Sequence, residues 1–270
     1  LNPAAFDIAA MLWLLLVIPA LLLMILRLFA ADVYDAVIVW MTARWYQVVF
    51  QRLQRGNRIL DVGIGTATAL VKNKAELLDR HLSVVGIDYE AAYVRKAEAV
   101  LKEADLWRPA PDGTEGYRPG EFYCRVLERS IYDEGLSELC YEASDKEKPK
   151  GAVPEDLRFD AVYFSGSLTV MPDPPSALKA VLPLMKRDGQ IFITQTFQKK
   201  HSPLMAFIKP LMKYITTIDF GQLTTEDDLA RIIAEADCFE TVENEAISGS
   251  INNHLQTARL VILKAKPKAK

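Results

Sequence analysis

From residue 58 onward, short apolar runs rich in β-branched residues alternate with longer segments whose apolar positions recur at helical spacing. Strands are predicted at 58–62 (RILDV), 83–88 (SVVGID), 122–127, 159–164 (FDAVYF), 190–196 (QIFITQT), 239–245 and 257–264. Helices are predicted at 66–80, 90–105, 172–186 and 225–236, with a weaker one at 133–143. Strand and helix in alternation imply an α/β domain: a mostly parallel sheet with helices on both faces. Two stretches interrupt the pattern. Residues 108–121 are rich in Pro and Gly, residues 143–156 are charged and breaker-rich, and both are expected to be surface insertions.

Before residue 58 the pattern changes. Residues 8–26, IAAMLWLLLVIPALLLMIL, carry no charge, and at about 1.5 Å per residue they would reach about 28 Å, one hydrocarbon core. Residues 1–31 are therefore expected to be a membrane-anchoring helix; an interfacial helix and a buried core helix are the alternatives. Pro19 within the run suits a membrane helix better than a soluble one. Residues 32–57 read as an amphipathic connecting helix with Trp40, Trp45, Tyr46 and Phe50, stopped at Gly56. Either it covers one edge of the domain, or its aromatic face rests at a lipid interface, and the two are compatible. Asp7 precedes the apolar run and Arg27, Arg44, Arg52, Arg55 and Arg58 follow it, so the large domain, 58–266, is expected to face the cytosol. The chain opens on Leu1 rather than Met, so an upstream segment is expected.

Charge narrows the partners. The net charge is −3 and no basic stripe with interleaved aromatics occurs, which argues against nucleic acid. Cys124, Cys140 and Cys238 are scattered, without a CxxC pair or a histidine at ligand spacing, so neither a zinc site nor a disulfide framework is expected. The basic tail KAKPKAK reads as a frayed end that could help hold anionic lipid.

Residues 58–70, RILDVGIGTATAL, have the layout of a strand, a glycine turn and a helix around a nucleotide-like cofactor. A nicotinamide dinucleotide wants a third glycine where Thr68 stands, and a phosphate loop wants a lysine that is missing. Asp61 discriminates further. A carboxylate just before the turn would repel a pyrophosphate but suit a cofactor with a cationic amino group and sulfonium. Asp88 ends the next strand, where a doubly wound fold presents an acid to ribose hydroxyls.

The blocks ILDVGIGTATAL, VVGIDYE, RSIYD and FDAVYFSGSLTVMPDPPSALKAVLPLMKRDGQIFITQTF together resemble a class I S-adenosylmethionine-dependent methyltransferase of the ubiquinone/menaquinone-biosynthesis-like small-molecule type, over residues 31–265. The resemblance implies a Rossmann-like, doubly wound, seven-stranded sheet whose last strand is antiparallel and inserted next to the fifth. It implies that Asp61, Gly63, Gly65 and Thr66 form the first cofactor loop, with Asp61 toward the cofactor's amino group, directly or through water. Asp88 would hold the ribose hydroxyls and Tyr89 would lie against the adenine. Ser130 and Ile131, with Tyr132 beside them, match the adenine block, whereas Asp133 is expected to cap the following helix. Ser165 and Gly166 would sit near the methyl group, and Tyr34, in VYD, would cover the methionine end. Where the family often has a third glycine this chain has Ala67, small enough that little consequence is expected.

The acceptor is expected between 165–173 (SGSLTVMPD) and a lid at 197–224, opened by Lys199, Lys200 and His201 and followed by apolar residues with Tyr214. Lys199, Lys200, Tyr214 and Gly166 are substrate candidates, and His201 is the candidate base, since histidine titrates near neutral pH. The competing reading makes the lid's apolar residues ordinary core and its lysines solvated. The expectation is a membrane-anchored methyltransferase acting on a small hydrophobic or amphipathic acceptor: a quinone, a sterol, a lipid headgroup or a thiol. Protein methylation and a catalytically inactive, cofactor-binding scaffold are the alternatives.

Overall fold

Every residue of Arg58–Val62 (β1) and of Ser83–Asp88 (β2) is buried, as strands covered on both faces must be. With Cys124–Glu128 (β3), Phe159–Ser165 (β4), Met185–Gln198 (β5), Phe239–Ala246 (β6) and Gln256–Ala265 (β7) they form a seven-stranded sheet in the order β3-β2-β1-β4-β5-β7-β6. The first five strands run parallel, and β7 lies antiparallel between β5 and β6. This is the expected topology. The computed structural model describes residues 17, 18, 21, 38–107, 122–141, 152–199 and 224–267. The chain forms two compact units, Leu1–Val39 with Ser202–Phe220, and Trp40–His201 with Gly221–Lys270. The sheet belongs to the second.

In the first unit, Val17, Ile18 and Leu21 are helical and exposed. Among the described residues no helix is long and apolar enough to cross a membrane. Most of the expected anchor lies outside the described residues, as do 108–121 and most of 143–156.

Two layers of helix bury the sheet. On one face Leu60, Val62, Val162, Phe164, Ile191 and Ile193 pack with Ala177, Leu178 and Val181 of α5 (Pro174–Val181) and with Leu229 and Ile233 of α6 (Glu226–Ala236). On the other, helix α1 (38–52) buries Trp45, Tyr46, Val49 and Phe50. Its Tyr46 ring meets Tyr163 of β4 edge-on, with centroids 4.9 Å apart. Helix α1 therefore crosses the middle of the sheet rather than one edge. Three of its four aromatics are spent on the core, and Trp40, at 61% exposure, is the one that faces outward.

Of the arginines that flank the apolar run, those among the described residues are also engaged by the fold. Arg52 pairs with Glu243 and Glu245 of β6. Arg44 donates to the Ser248 carbonyl and to Gln47, and Arg55 to the Asp79 carbonyl. Arg58 is wholly buried.

The predicted helix 66–80 is two helices, Thr68–Val71 (α2) and Lys74–Asp79 (α3). Asn73 interrupts it by donating its side-chain amide to the carbonyls of Ala43 and Ala69. The predicted 90–105 helix is Ala91–Glu103 (α4). The predicted 172–186 helix stops at Val181 and passes through a 3-10 turn, Leu182–Leu184, whose Pro183 has no N–H to continue the ladder. Strand β5 starts earlier than expected, because Met185 pairs with Phe159 before residues 186–189 leave the ladder and Gln190 rejoins it opposite Ala161. The weak 133–143 helix is only a 3-10 segment, Leu136–Cys140.

Candidate active site

Strand order reverses between β1 and β4, and the carboxyl ends of two such strands open a crevice where doubly wound sheets bind ligands. The glycine turn follows β1 there. The N–H groups of Gly63 and Ile64 both donate to the Ile87 carbonyl, at 2.8 and 3.2 Å, tying the turn to β2. Gly63 and Gly65 have φ of +76° and +60°, a region L side chains seldom occupy. A Cβ on Gly63 would lie 2.7 Å from the Ser167 Cβ, whereas one on Gly65 would meet nothing within 4 Å. Gly65 thus faces open space. Ala67 also adopts a positive φ, 56°. The third glycine of the turn is favoured by its backbone, not by its size, so the expectation that alanine would matter little looked at the wrong property.

Asp61 is wholly buried on the face that α1 covers. The Tyr46 hydroxyl donates to its Oδ2 at 2.5 Å, while Oδ1 has no hydrogen-bond partner. Burial pushes its carboxyl up to about 7; the Tyr46 hydrogen bond opposes that shift and the charge of Asp88 adds to it. Burial, then the charge of Asp61, raise the Tyr46 phenol, and burial raises that of Tyr163. Asp88 is nearly buried, and its two oxygens accept from the backbone N–H of Gly65 and of Glu90, each at 3.0 Å. One carboxylate thereby fixes both the turn and the start of α4.

The other expected residues fall along the same edge of the sheet. Tyr89 follows β2 and is 78% exposed, and Ile131, after β3, is buried. The Ser130 N–H donates to Asp133, whose carboxylate reaches back to this turn instead of capping the next helix as expected. Tyr132 donates to the Asp173 carbonyl and accepts from the Asp173 N–H, pinning the block to the start of α5. The Thr66 hydroxyl lies 2.9 Å from that of Thr68. Ser165 and Gly166 end β4.

Beside Gly166 lie residues the sequence did not single out for this site. A Cβ on Gly166 would be 3.4 Å from the Trp45 ring and 3.8 Å from Gln195 Oε1. The Trp45 indole N–H donates to Ser250 Oγ at 3.0 Å, which fixes the ring. Gln195 Oε1 is buried without a hydrogen-bond partner, and the Ser165 hydroxyl is buried beside the Tyr163 phenol, with which it interacts. Gly86, in β2, makes room for Ile64, since a Cβ there would stand 2.5 Å from Ile64 Cδ1. The signal for Trp45 and Tyr46 was present as aromatics on a helix that either covers the domain or meets lipid, and neither reading tied them to this site. Lys199 is exposed, its N–H donates to the Leu255 carbonyl and its ammonium to Asn252 Oδ1 at 2.8 Å. Tyr34, Lys200, His201 and Tyr214 lie outside the described residues.

The crevice fits a cationic nucleoside cofactor. It offers a buried carboxylate oxygen without a partner, a turn with space over Gly65, and an acid after the second strand. Burial of an ionised group without a counter-charge is costly, so a ligand that brings a positive charge to Asp61 is the natural complement.

Residues 35–243 match the family model described as a methyltransferase domain. A phosphatidylethanolamine N-methyltransferase of Cereibacter sphaeroides is 23% identical over 165 residues, 61% of this chain and 63% of that protein, so the chain matches less than two thirds of the relative's length. The mitomycin 7-O-methyltransferase MmcR superposes with a TM-score of 0.53 at 12% identity, over 84% of this chain and 54% of its own. A geranyl diphosphate methyltransferase solved in complex with SAM gives 0.51 at 9% identity, over 79% and 80%. At such identities the solved structures speak for the fold alone.

Proposed function

The chain belongs to the methyltransferase family and uses S-adenosylmethionine; on that premise we propose that it methylates a small amphipathic acceptor, an amine-bearing lipid headgroup being the first to test. The observation that carries the acceptor class is the buried, unpartnered amide oxygen of Gln195, beside Gly166. A methyl acceptor with an N–H group to donate suits that oxygen, and the Cereibacter sphaeroides relative is by name an N-methyltransferase.

The cofactor supplies an electrophilic methyl group on a sulfonium. The chain's part is to bind, align and exclude water, because methyl transfer is an in-line displacement governed by approach distance and angle. Asp61 faces the amino group of the cofactor and the turn Gly63–Gly65 gives its backbone room to pass. Asp88 holds ribose hydroxyls with the lone pairs left over from its backbone bonds, and Tyr89 offers a flat face to the adenine. Trp45 walls the acceptor side at Gly166, and an amine presented there as the free base brings its own lone pair, so it needs no strong general base. The roles of Lys199, Lys200, Tyr214 and His201 on the acceptor stay part of this proposal, with His201 available to take up the released proton.

Membrane attachment through residues 1–31, with the domain on the cytosolic side, belongs to the same proposal. It is supported by the uncharged run 8–26 and tested by whether deleting residues 1–30 releases the protein from membranes. For the acceptor, radiolabelled S-adenosylmethionine is offered with phosphatidylethanolamine vesicles and, separately, with a total membrane extract, and the products are partitioned. Label in the organic phase on a headgroup amine is the expected result. Label confined to protein would replace the acceptor by a polypeptide, and cofactor binding without any transfer would make the chain a scaffold.

A further inference from the structure

Asp61 receives its hydrogen bond from an element outside the cofactor turn. Tyr46 sits midway along α1, is buried with Asp61, and donates to Oδ2 at 2.5 Å. Its ring is fixed edge-on between Phe50, at 5.8 Å, and Tyr163, at 4.9 Å. The Tyr163 hydroxyl is in turn bonded to Thr194 Oγ1 at 2.9 Å, so the phenol of Tyr46 has little freedom to leave. Oδ1, the other oxygen, is buried and unpartnered. We propose that Tyr46 is a positioning residue of the cofactor site: its hydroxyl clamps Oδ2, favours the anionic form of Asp61, and leaves Oδ1 to receive the cofactor's ammonium.

The surroundings of Asp61 explain why a clamp is needed. Among the described residues, the titratable groups that act on it or feel its charge are the Tyr46 phenol from α1, the Tyr163 phenol from β4, the Cys124 thiol from β3 and the Asp88 carboxylate from β2. Two are phenols raised by burial, Cys124 is pushed up to about 12 by burial, and Asp88 is another anion. No cation is among them. Burial and Asp88 favour the neutral acid, which cannot attract an ammonium, and the Tyr46 hydrogen bond is the influence that opposes both. A hydrogen bond to an ionised group is stronger than one between neutral groups, so a phenol there shifts the balance toward the carboxylate.

This inference rests on the cofactor assignment above, and its test separates the two. Binding of S-adenosylmethionine to the full chain is measured by calorimetry from about pH 5.5 to 9, beside a ¹³C NMR titration of the Asp61 carboxyl in the free protein. In the wild type, affinity should rise with pH as Asp61 ionises. In Tyr46→Phe the whole rise, and the NMR midpoint with it, should move up by about one to two pH units, because the stabilising donor is lost while burial remains. Binding near neutral pH should then be roughly tenfold weaker and recover toward wild type at the alkaline end. Phe50→Leu disturbs the same packing without touching the hydrogen bond; it should lower stability and leave both midpoints in place. Asp61→Asn should bind weakly and lack the rise with pH, leaving only the fall at the alkaline end, common to all variants, as the cofactor's own amino group loses its proton.

An equal loss of affinity at every pH in Tyr46→Phe, with an unmoved NMR midpoint, would reduce Tyr46 to a packing residue and overturn the proposal. If Tyr46→Phe cannot be folded, Tyr46→Leu, which also lacks the donor, is read by the same two titrations, and an unmoved midpoint is again decisive against it. Failure of the wild type to bind the cofactor at any pH would overturn the cofactor assignment itself.

Discussion

Gly63 and Ser167 touch across the mouth of the crevice. The serine's Cβ would be 2.7 Å from any Cβ placed on the glycine, and the Ser167 hydroxyl donates to the Val62 carbonyl, so the serine cannot simply swing away. This contact holds the loop after β1 against the loop after β4, the two segments between which the donor and acceptor must meet.

Alanine at Gly63 and alanine at Gly65 should therefore fail differently. Both pay for a left-handed backbone, about 1–2 kcal/mol. At Gly63 overpacking adds about 1–3 kcal/mol, so Gly63→Ala should lose stability heavily in urea denaturation. At Gly65 there is open space, so Gly65→Ala should cost stability only the backbone strain while weakening S-adenosylmethionine binding by about tenfold or more, the new methyl standing where the cofactor passes. Equal stability losses in the two variants would mean that the Ser167 contact yields.

Asp61 makes the free protein less stable than it need be. Its folded value of about 7 lies above an unfolded value of about 4, so the folded state holds this proton more tightly. That contribution is full below the unfolded value and is lost as pH rises toward the folded one, a change on the order of 4 kcal/mol. Asp61→Asn is neutral throughout and escapes the loss, while its unpartnered amide costs about 1–3 kcal/mol at every pH. The variant should equal or fall below wild type at about pH 5 and exceed it at about pH 8 in urea denaturation, while losing cofactor affinity. A difference that does not grow with pH would show that burial is not what governs this carboxyl.

Much of this was legible beforehand for a physical reason. The β1 and β2 runs are continuously apolar because both faces are covered, and the Asp61 and Asp88 positions stand out as the acids that interrupt or end such runs. What escaped was set by contacts distant in sequence. Asn73 breaks a helix by bonding to Ala43, thirty positions away, and no local pattern announces that. Tyr46 and Trp45 were visible as aromatics, but which surface they meet is decided by Asp61, Tyr163 and Gly166. The partners of Arg52 and Arg55, which are Glu243, Glu245 and the Asp79 carbonyl, are likewise distant in sequence.

Asp88→Ala should now do two things rather than one. Expected from sequence as a ribose ligand, Asp88 also accepts the N–H groups of Gly65 and Glu90. Its removal leaves both without that acceptor, at about 1–3 kcal/mol. A fall in thermal midpoint of several degrees should accompany cofactor binding weaker by about tenfold or more. An unchanged midpoint would mean that water replaces both bonds without loss.

Arg58 offers the opposite separation, stability without function. Its guanidinium is buried at the start of β1, donating to Tyr123 Oη and to the carbonyls of Leu157 and Cys140, and lies over the Phe159 ring at 4.8 Å. One side chain thus joins the approach to β3, the segment before β4 and the 3-10 turn Leu136–Cys140. Arg58→Met keeps most of the apolar stem and removes the donors, so the stacking area is largely kept and the two carbonyls lose their partner. With about 1–3 kcal/mol for each buried group left unsatisfied, the variant should be less stable by about 3 kcal/mol in urea denaturation. The cofactor residues gather at the other, carboxyl end of the strands, so at temperatures where the variant is still folded its affinity for S-adenosylmethionine should stay within about twofold of wild type. A matching loss of affinity would mean that the Arg58 end of the sheet and the glycine turn move together, and that the rigidity assumed for β1 does not hold.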